Sequence, residues 1–300
     1  MKKSILILLS IFVVGLIYCT GSNPMMNLPT EPAVSGAISV GQSSSDCRTQ
    51  FDPSRVAIVD ENASYGNLLI RGNFPLNCEN PRAFAYNQLE MKMKQLKGAS
   101  FNLGEYEIIL VTLINNAGNV NDLQAEERVL GLNPAAINCQ NQYQDGTPDL
   151  YRCLNDYRAK PYSNVNPAQP PHQLYWWPLW ICGADNCTVL DTYSACKFNE
   201  LPQHLNTLLN SLPSSTTGKT KRLIYFHCEH GCDRTGVVHA AYIMLKDKIS
   251  KKLNLANAID LAGSAISDGS SCMKGGYIGL LKKYCSDNYN NDTARCNYQQ

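Results

Sequence analysis

The run His227-Cys228-Glu229-His230-Gly231-Cys232-Asp233-Arg234-Thr235-Gly236 places a cysteine and an arginine at the two ends of one short loop. A thiolate is the nucleophilic form of cysteine. The planar guanidinium of Arg234 forks onto two oxygens of a phosphate, a match lysine does not make. Together they are suited to attack on a phosphate by sulfur. Two other readings use the same residues. His227, Cys228, His230 and Cys232 are all zinc-ligand types, but such crowding does not follow the paired spacing of structural zinc sites. A Cys228–Cys232 disulfide would act as a staple, or as a reversible cap on the nucleophile, in an oxidising compartment.

The flanks position this loop. Leu223 to Phe226 reads as a buried strand, and Thr235 to Leu245 as a helix with Val238, Ala241 and Leu245 on one face. A loop between a strand end and a helix start presents backbone N–H groups without intrahelical partners, and the helix dipole adds positive potential, so an anion is favoured there. The expected phosphate cradle is Glu229, His230, Gly231, Cys232, Asp233 and Arg234, with Gly231 allowing close backbone approach. Thr235 is placed to donate its hydroxyl proton to the Cys228 sulfur and ease its departure. Glu229 and Asp233 would oppose a thiolate if they pointed inward, and Asp233 reads as facing solvent.

At His227, Cys228, Gly231, Arg234, Thr235 and Gly236 the chain resembles the Cys-x5-Arg phosphatase superfamily of protein tyrosine, dual-specificity, lipid and inositol-phosphate phosphatases. The resemblance implies a two-step hydrolysis without metal or other cofactor. Cys228 forms a phosphocysteine, an aspartic acid on another loop protonates the leaving group, and water cleaves the intermediate. It places that acid after the strand preceding the penultimate helix, where Asp191 is the first choice and Asp185 the reserve; a helix cap is the competing role for Asp191. Trp177-Pro178-Leu179 is similar to the Trp-Pro-Asp loop of tyrosine phosphatases but has leucine in the acid position and lies upstream of the expected window, so it reads as strand and core. Arg71-Gly72-Asn73-Phe74-Pro75 is similar to the opening of small dual-specificity domains.

Lys2 and Lys3 precede an apolar run from Ile5 to Tyr18 and the small pair Thr20-Gly21, the pattern of a secretory signal peptide over residues 1–21. The run is shorter than a membrane span requires. Thirteen cysteines in 300 residues fit export. Setting aside Cys19, Cys228 and Cys232 leaves Cys47, Cys78, Cys139, Cys153, Cys182, Cys187, Cys196, Cys272, Cys285 and Cys296, an even set whose pairing is open. Asn62-Ala63-Ser64, Asn186-Cys187-Thr188 and Asn291-Asp292-Thr293 fit the glycosylation acceptor pattern. A net charge of +1 argues against nucleic acid as a partner.

Residues 22–60 read as a leader or linker, low in large apolar side chains from Asn23 to Asp46, and 61–300 as one domain. Its expected fold class is α/β, a phosphatase-like central sheet flanked by helices and stabilised by disulfides. Strands are expected at 67–71, 107–114 and 172–180, and helices at 81–97, 121–130, 198–212 and 254–266. Tyr86, Leu89, Met93 and Leu96 are the expected core face of the first helix, and Leu201, Leu205, Leu208 and Leu212 that of the third. A polar segment from Asn138 to Pro171 reads as a disulfide-tied insertion. His172, His204 and His239 read as satisfied surface or core residues. The expected activity is a secreted phosphatase acting on phosphotyrosine or dual-specificity protein substrates or small phosphomonoesters. The alternatives are an inositol-phosphate phosphatase, with Lys219, Lys221, Arg222 and Lys274 as polyanion contacts, and a silent phosphate-binding protein.

Overall fold

Apolar residues run unbroken through three segments of the chain, and such runs form strands buried on both faces. In the computed structural model, Asn67–Gly72 (β2), Tyr106–Thr112 (β3) and Lys221–His227 (β6) lie side by side and parallel, with β6 in the middle. Ala57–Asn62 (β1) joins β2 antiparallel at one edge; Gln173–Trp176 (β5) joins β3 parallel, and Pro161–Ser163 (β4) closes the other edge antiparallel to β5. The order is β1-β2-β6-β3-β5-β4. The structure describes residues 49–78, 82–114, 120–131, 161–163, 170–179, 193, 197–248, 250, 252–266, 272–273 and 276–298. All lie in one compact unit, Ser44–Gln300.

Alternate residues of each central strand face opposite layers. Leu68, Ile70, Ile108, Leu110, Leu223 and Tyr225 pack with Leu89 and Met93 of α1 (Tyr86–Lys97) and Leu123 of α2 (Val120–Val129). Leu69, Ile109, Val111, Ile224 and Phe226 pack against the other helical layer: α3 (Leu201–Leu209), α4 (Asp233–Asp247), α5 (Leu255–Ser264) and α6 (Gly276–Asn288). A short α7 spans Thr293–Cys296. Burying each such side chain is worth about 1.5–3 kcal/mol.

The chain runs from β2 through α1 to β3 and through α2 to β5, then returns over the opposite layer by α3 to the middle position, β6. The direction of winding reverses at β6. In open α/β sheets the carboxyl ends of strands at such a reversal form the ligand crevice. The loop 228–232 sits there, between β6 and α4.

Several element ends differ from the sequence expectation. The expected boundary at residue 60 falls inside β1, and Phe51 and Val56 are already buried; a leader rich in Pro and Ser hides a strand whose partner, β2, supplies most of the apolar face. Helix α1 starts at Tyr86 rather than Pro81, because Leu76 and Phe84 first form an isolated antiparallel bridge. Leu96 (41 %) and Leu212 (65 %) are exposed: Leu96 lies in the last turn of α1 and Leu212 beyond the end of α3. The expected strand over 172–180 ends at Trp176.

Two disulfides, Cys232–Cys272 and Cys285–Cys296, are present, and Cys78 is also disulfide-bonded. They fit an oxidising, secretory-type environment. Among the described residues no helix is long and apolar enough to cross a membrane.

The strand starts are tied by a buried ion pair. Arg222 donates through Nε to Glu107 Oε2 at 2.8 Å, the same oxygen accepts from Ser214 N at 3.2 Å, and Gln173 donates to Oε1 at 3.1 Å. Removing one partner of a buried pair strands the other. Glu107→Gln is therefore expected to lower unfolding free energy by about 3–5 kcal/mol, read from urea titration; a change within error would show that the pair is dispensable.

Candidate active site

Strand β6 delivers Cys228 to the head of the loop, where it is 3 % exposed and the one free cysteine among the described residues. The Cys228–Cys232 bridge that the sequence left open is not formed. Cys232, at the N-cap of α4, is bonded to Cys272 on the segment before α6. The ten cysteines set aside as a self-contained group therefore do not pair only among themselves, although Cys285–Cys296 lies within that group. Spacing in the chain left a short loop bridge open. The fold instead brings a residue from beyond α5 to the helix start.

The loop is pressed against the end of β2. Phe74 N donates to Glu229 O at 3.1 Å and the Tyr225 hydroxyl donates to Asn73 O at 2.8 Å. Gly231 has φ +68°, and a Cβ there would lie 2.7 Å from Gly72 O and 2.8 Å from Asn73 N. Its close approach is thus to the neighbouring turn, a tighter constraint than cradling a ligand alone would set.

Arg234 follows in the first turn of α4, with its side chain 12 % exposed. Its Nη1 donates to Leu113 O at 3.4 Å and its Nη2 lies 3.9 Å from Glu229 Oε2. Both are long for charge-assisted contacts, so the fork keeps donors for an anion. Glu229 also accepts from the Thr49 hydroxyl at 3.3 Å and lies 3.6 Å from His230 Nε2, whose side chain is 72 % exposed. Asp233, expected to face solvent, accepts from Met273 N at 3.0 Å. It anchors the Cys272 segment beside the disulfide. Thr235 is buried, and its hydroxyl is directed at Gly72 O at 3.5 Å rather than at the Cys228 sulfur.

Behind the loop, His227 Nε2 lies 3.1 Å from Glu126 Oε1, both side chains fully buried. Glu126 reaches this position from α2. Burial pushes the Glu126 carboxyl well above its ordinary range and His227 down to about 3, so both favour their neutral forms. One turn earlier, Asp122 pairs with Arg82 at 3.3 Å and feels the charges of Glu229 and His230; burial raises its carboxyl. Tyr277 of α6, raised to about 12 by burial, feels Arg234, Asp233 and Cys228. These four elements, β6, α4, α2 and α6, surround one spot.

Sequence spacing gave no signal for Glu126, Asp122, Cys272 or Tyr277, since each comes from a distant segment. Trp177 and Leu179 are buried as expected. Their triplet, upstream in the chain, is nonetheless close in space: Leu113 O accepts both from Leu179 N at 3.2 Å and from Arg234. Asp185 and Asp191 lie outside the described residues, between buried Leu179 and buried Tyr193. So do the signal region 1–21, residues 138–160 and 164–169 of the expected insertion, and Lys274.

Lys219, Lys221 and Arg222 do not reach the loop. Lys221 and Arg222 sit at the start of β6 and Lys219 on its approach, and the length of the strand at ~3.3 Å per residue puts them about 20 Å or more from Cys228. Each has a local partner: Gly104 O for Lys219, Glu105 for Lys221 and Glu107 for Arg222. Among the described residues, no group of three or more His, Cys, Asp or Glu is arranged to hold a metal ion.

No protein-family model matches the chain, and no curated protein matches its sequence.

Two outcomes follow from this geometry. Gly231→Ala must open the contact with Gly72–Asn73 and bend a residue at positive φ, so it is expected to cost about 2 kcal/mol of stability in urea unfolding, and to expose Cys228 to faster thiol reagents. Unaltered stability and thiol access would show the contact to be slack. The second concerns acid. His204 and His239 are pushed down by burial to about 4 and about 3. Their folded values lie below the unfolded one, so their stabilisation is full above pH ~6.5 and is lost as pH falls toward 4 and 3. His227 acts in the same direction, and Glu126, raised by burial, in the opposite one. Stability should therefore fall by about 3 kcal/mol per pH unit between pH ~6 and ~4, and a flat urea midpoint across that window would contradict neutral buried histidines.

Proposed function

We propose that this chain is a secreted cysteine-dependent phosphatase that hydrolyses phosphomonoesters, with a phosphotyrosine or dual-specificity protein substrate as the first reading. The observation that carries the proposal is the free, buried Cys228 at the carboxyl end of the central strand, with Arg234 in the first turn of the following helix. The Cys228 thiolate attacks phosphorus and forms the S–P bond as the P–O bond to the leaving group breaks. The leaving oxygen takes a proton from Asp191 in this reading. Water then gives a proton back to Asp191, forms a new P–O bond and breaks S–P, which returns the thiolate and releases phosphate. Arg234 and the loop N–H groups hold the three phosphoryl oxygens through both steps.

The disulfide pattern favours this over the silent reading that locks Cys228 to Cys232, since Cys232 is committed to Cys272. The charges near the loop favour a single phosphate over a polyphosphorylated ring. Glu229, Asp122 and Asp233 are acidic, Arg82 is paired with Asp122, and the three basic residues on β6 and its approach are at the far end of the sheet. The oxidising setting indicated by the disulfides supports secretion.

Purified protein should release phosphate from p-nitrophenyl phosphate. Cys228→Ser is expected to abolish turnover while retaining vanadate binding, and Arg234→Lys to lower kcat/KM at least about 100-fold. Asp191→Ala should cut turnover of alkyl phosphates about 10²- to 10⁴-fold and spare the aryl substrate more. Turnover surviving in Cys228→Ser would end the proposal.

A further inference from the structure

Arg71 is fully buried at the carboxyl end of β2. Its Nη2 donates to Gly231 O at 2.7 Å, its Nη1 donates to Ala262 O at 2.6 Å, and the same Nη1 lies 3.1 Å from His239 Nδ1. Nδ1 therefore accepts, and His239, pushed down to about 3 by burial, is neutral with its proton on Nε2. The Arg71 Nε has no hydrogen-bond partner. Two carbonyls and a neutral imidazole meet the terminal nitrogens but leave Nε without a partner and, among the described residues, supply no counter-charge.

A guanidinium removed from water without a carboxylate beside it is costly. Burial lowers Arg71 only to about 10, so it stays charged, and the group acting most strongly to keep it charged is Cys228. A cation hydrogen-bonded beneath the loop, at Gly231 O, favours negative charge on the loop above it. The hydrogen bond to Gly231 O has a second effect. With that carbonyl drawn down onto Arg71, it cannot point into the space where the loop N–H groups would meet an anion.

We propose that Arg71 is a positioning residue for the thiol chemistry: from beneath the loop it turns the Gly231 carbonyl away from the phosphate cradle and supplies a fixed positive charge that favours the Cys228 thiolate. This rests on the phosphatase reading above. It assigns a role to an arginine that touches no substrate and that sits 157 residues before the nucleophile in the chain.

Other charges also face Cys228. Tyr277 feels Arg234, Asp233 and Cys228, Glu229 lies between Arg234 and His230, Tyr225 and His227 lie on β6, and Arg55 acts on Arg71. Tyr277, Tyr225 and His227 are shifted away from neutral pH. Glu126 is shifted toward it, so Glu126→Gln belongs in the same series as a control.

The test is the pH dependence of Cys228 alkylation by iodoacetamide, with the site identified by peptide mass, together with kcat and KM on p-nitrophenyl phosphate. Arg71→Gln keeps an amide donor for the carbonyls but removes the charge, and its alkylation midpoint should rise by about one pH unit. Arg71→Lys keeps the charge but cannot span both carbonyls. Its midpoint should stay with the wild type while kcat falls about tenfold or more at similar KM. A purely structural arginine would lower stability in both variants without moving the midpoint in either. An Arg71→Gln midpoint equal to the wild type overturns the electrostatic role. An Arg71→Lys kcat equal to the wild type overturns the carbonyl role, and is informative even should the glutamine variant fail to fold. Wild-type Cys228 that resists alkylation at every pH would instead sink the phosphatase reading itself.

Discussion

Backbone-to-backbone contact between Gly231 and the Gly72–Asn73 turn is the constraint on which the rest of the site depends. A methyl at either glycine would collide, with Gly72–Asn73 backbone at 2.7–2.8 Å from position 231 and with the Tyr225 hydroxyl at 1.9 Å from position 72. Only two bare backbones allow β2 and the loop after β6 to close so tightly. Once they do, Phe74 N reaches Glu229 O, and Arg71 lies directly beneath Gly231. The geometry of the loop follows from the pairing of β2 with β6, which is set far from the loop by the apolar register Leu68↔Leu223 to Gly72↔His227.

Around that contact the protein separates buried groups held neutral from buried groups held charged. His227 with Glu126, and His239 against Arg71, are pushed by desolvation toward uncharged forms. Arg71 is too basic for burial to neutralise. The result is a fixed cation under the loop with, among the described residues, no carboxylate paired to it. On the outer side, the Cys232–Cys272 bond and the Met273 N to Asp233 contact tie the start of α4 to the approach to α6. The oxidising chemistry of the compartment thus stiffens the loop through Cys232 while leaving Cys228 reduced.

Strand β6, the loop and helix α4 were legible because each is encoded locally: an apolar run, a glycine-containing turn and a helix whose residues are buried nearly all round. Leu89 and Met93 were equally legible, but Leu96 and Leu212 were not, since periodicity does not say where a neighbouring layer stops. The folded start of the domain was hidden because β1 is half polar and acquires its place by pairing with β2. The partner of Cys232 was not legible because Cys272 lies 40 residues away in the chain and only the fold brings it to the start of α4.

By itself the sequence determined the placement of Cys228 and Arg234 at the two ends of one loop, the strand before it and the helix after it, and the cysteine-rich character of the chain, since residue type and local period are sufficient for these. Only the tertiary structure decided that Cys228 stays free, that Glu126 stands behind His227, and that Arg71 lies under Gly231. Those facts depend on which distant segments meet when the sheet reverses direction at β6. That meeting is fixed by long-range packing rather than by any pattern within a single window of residues.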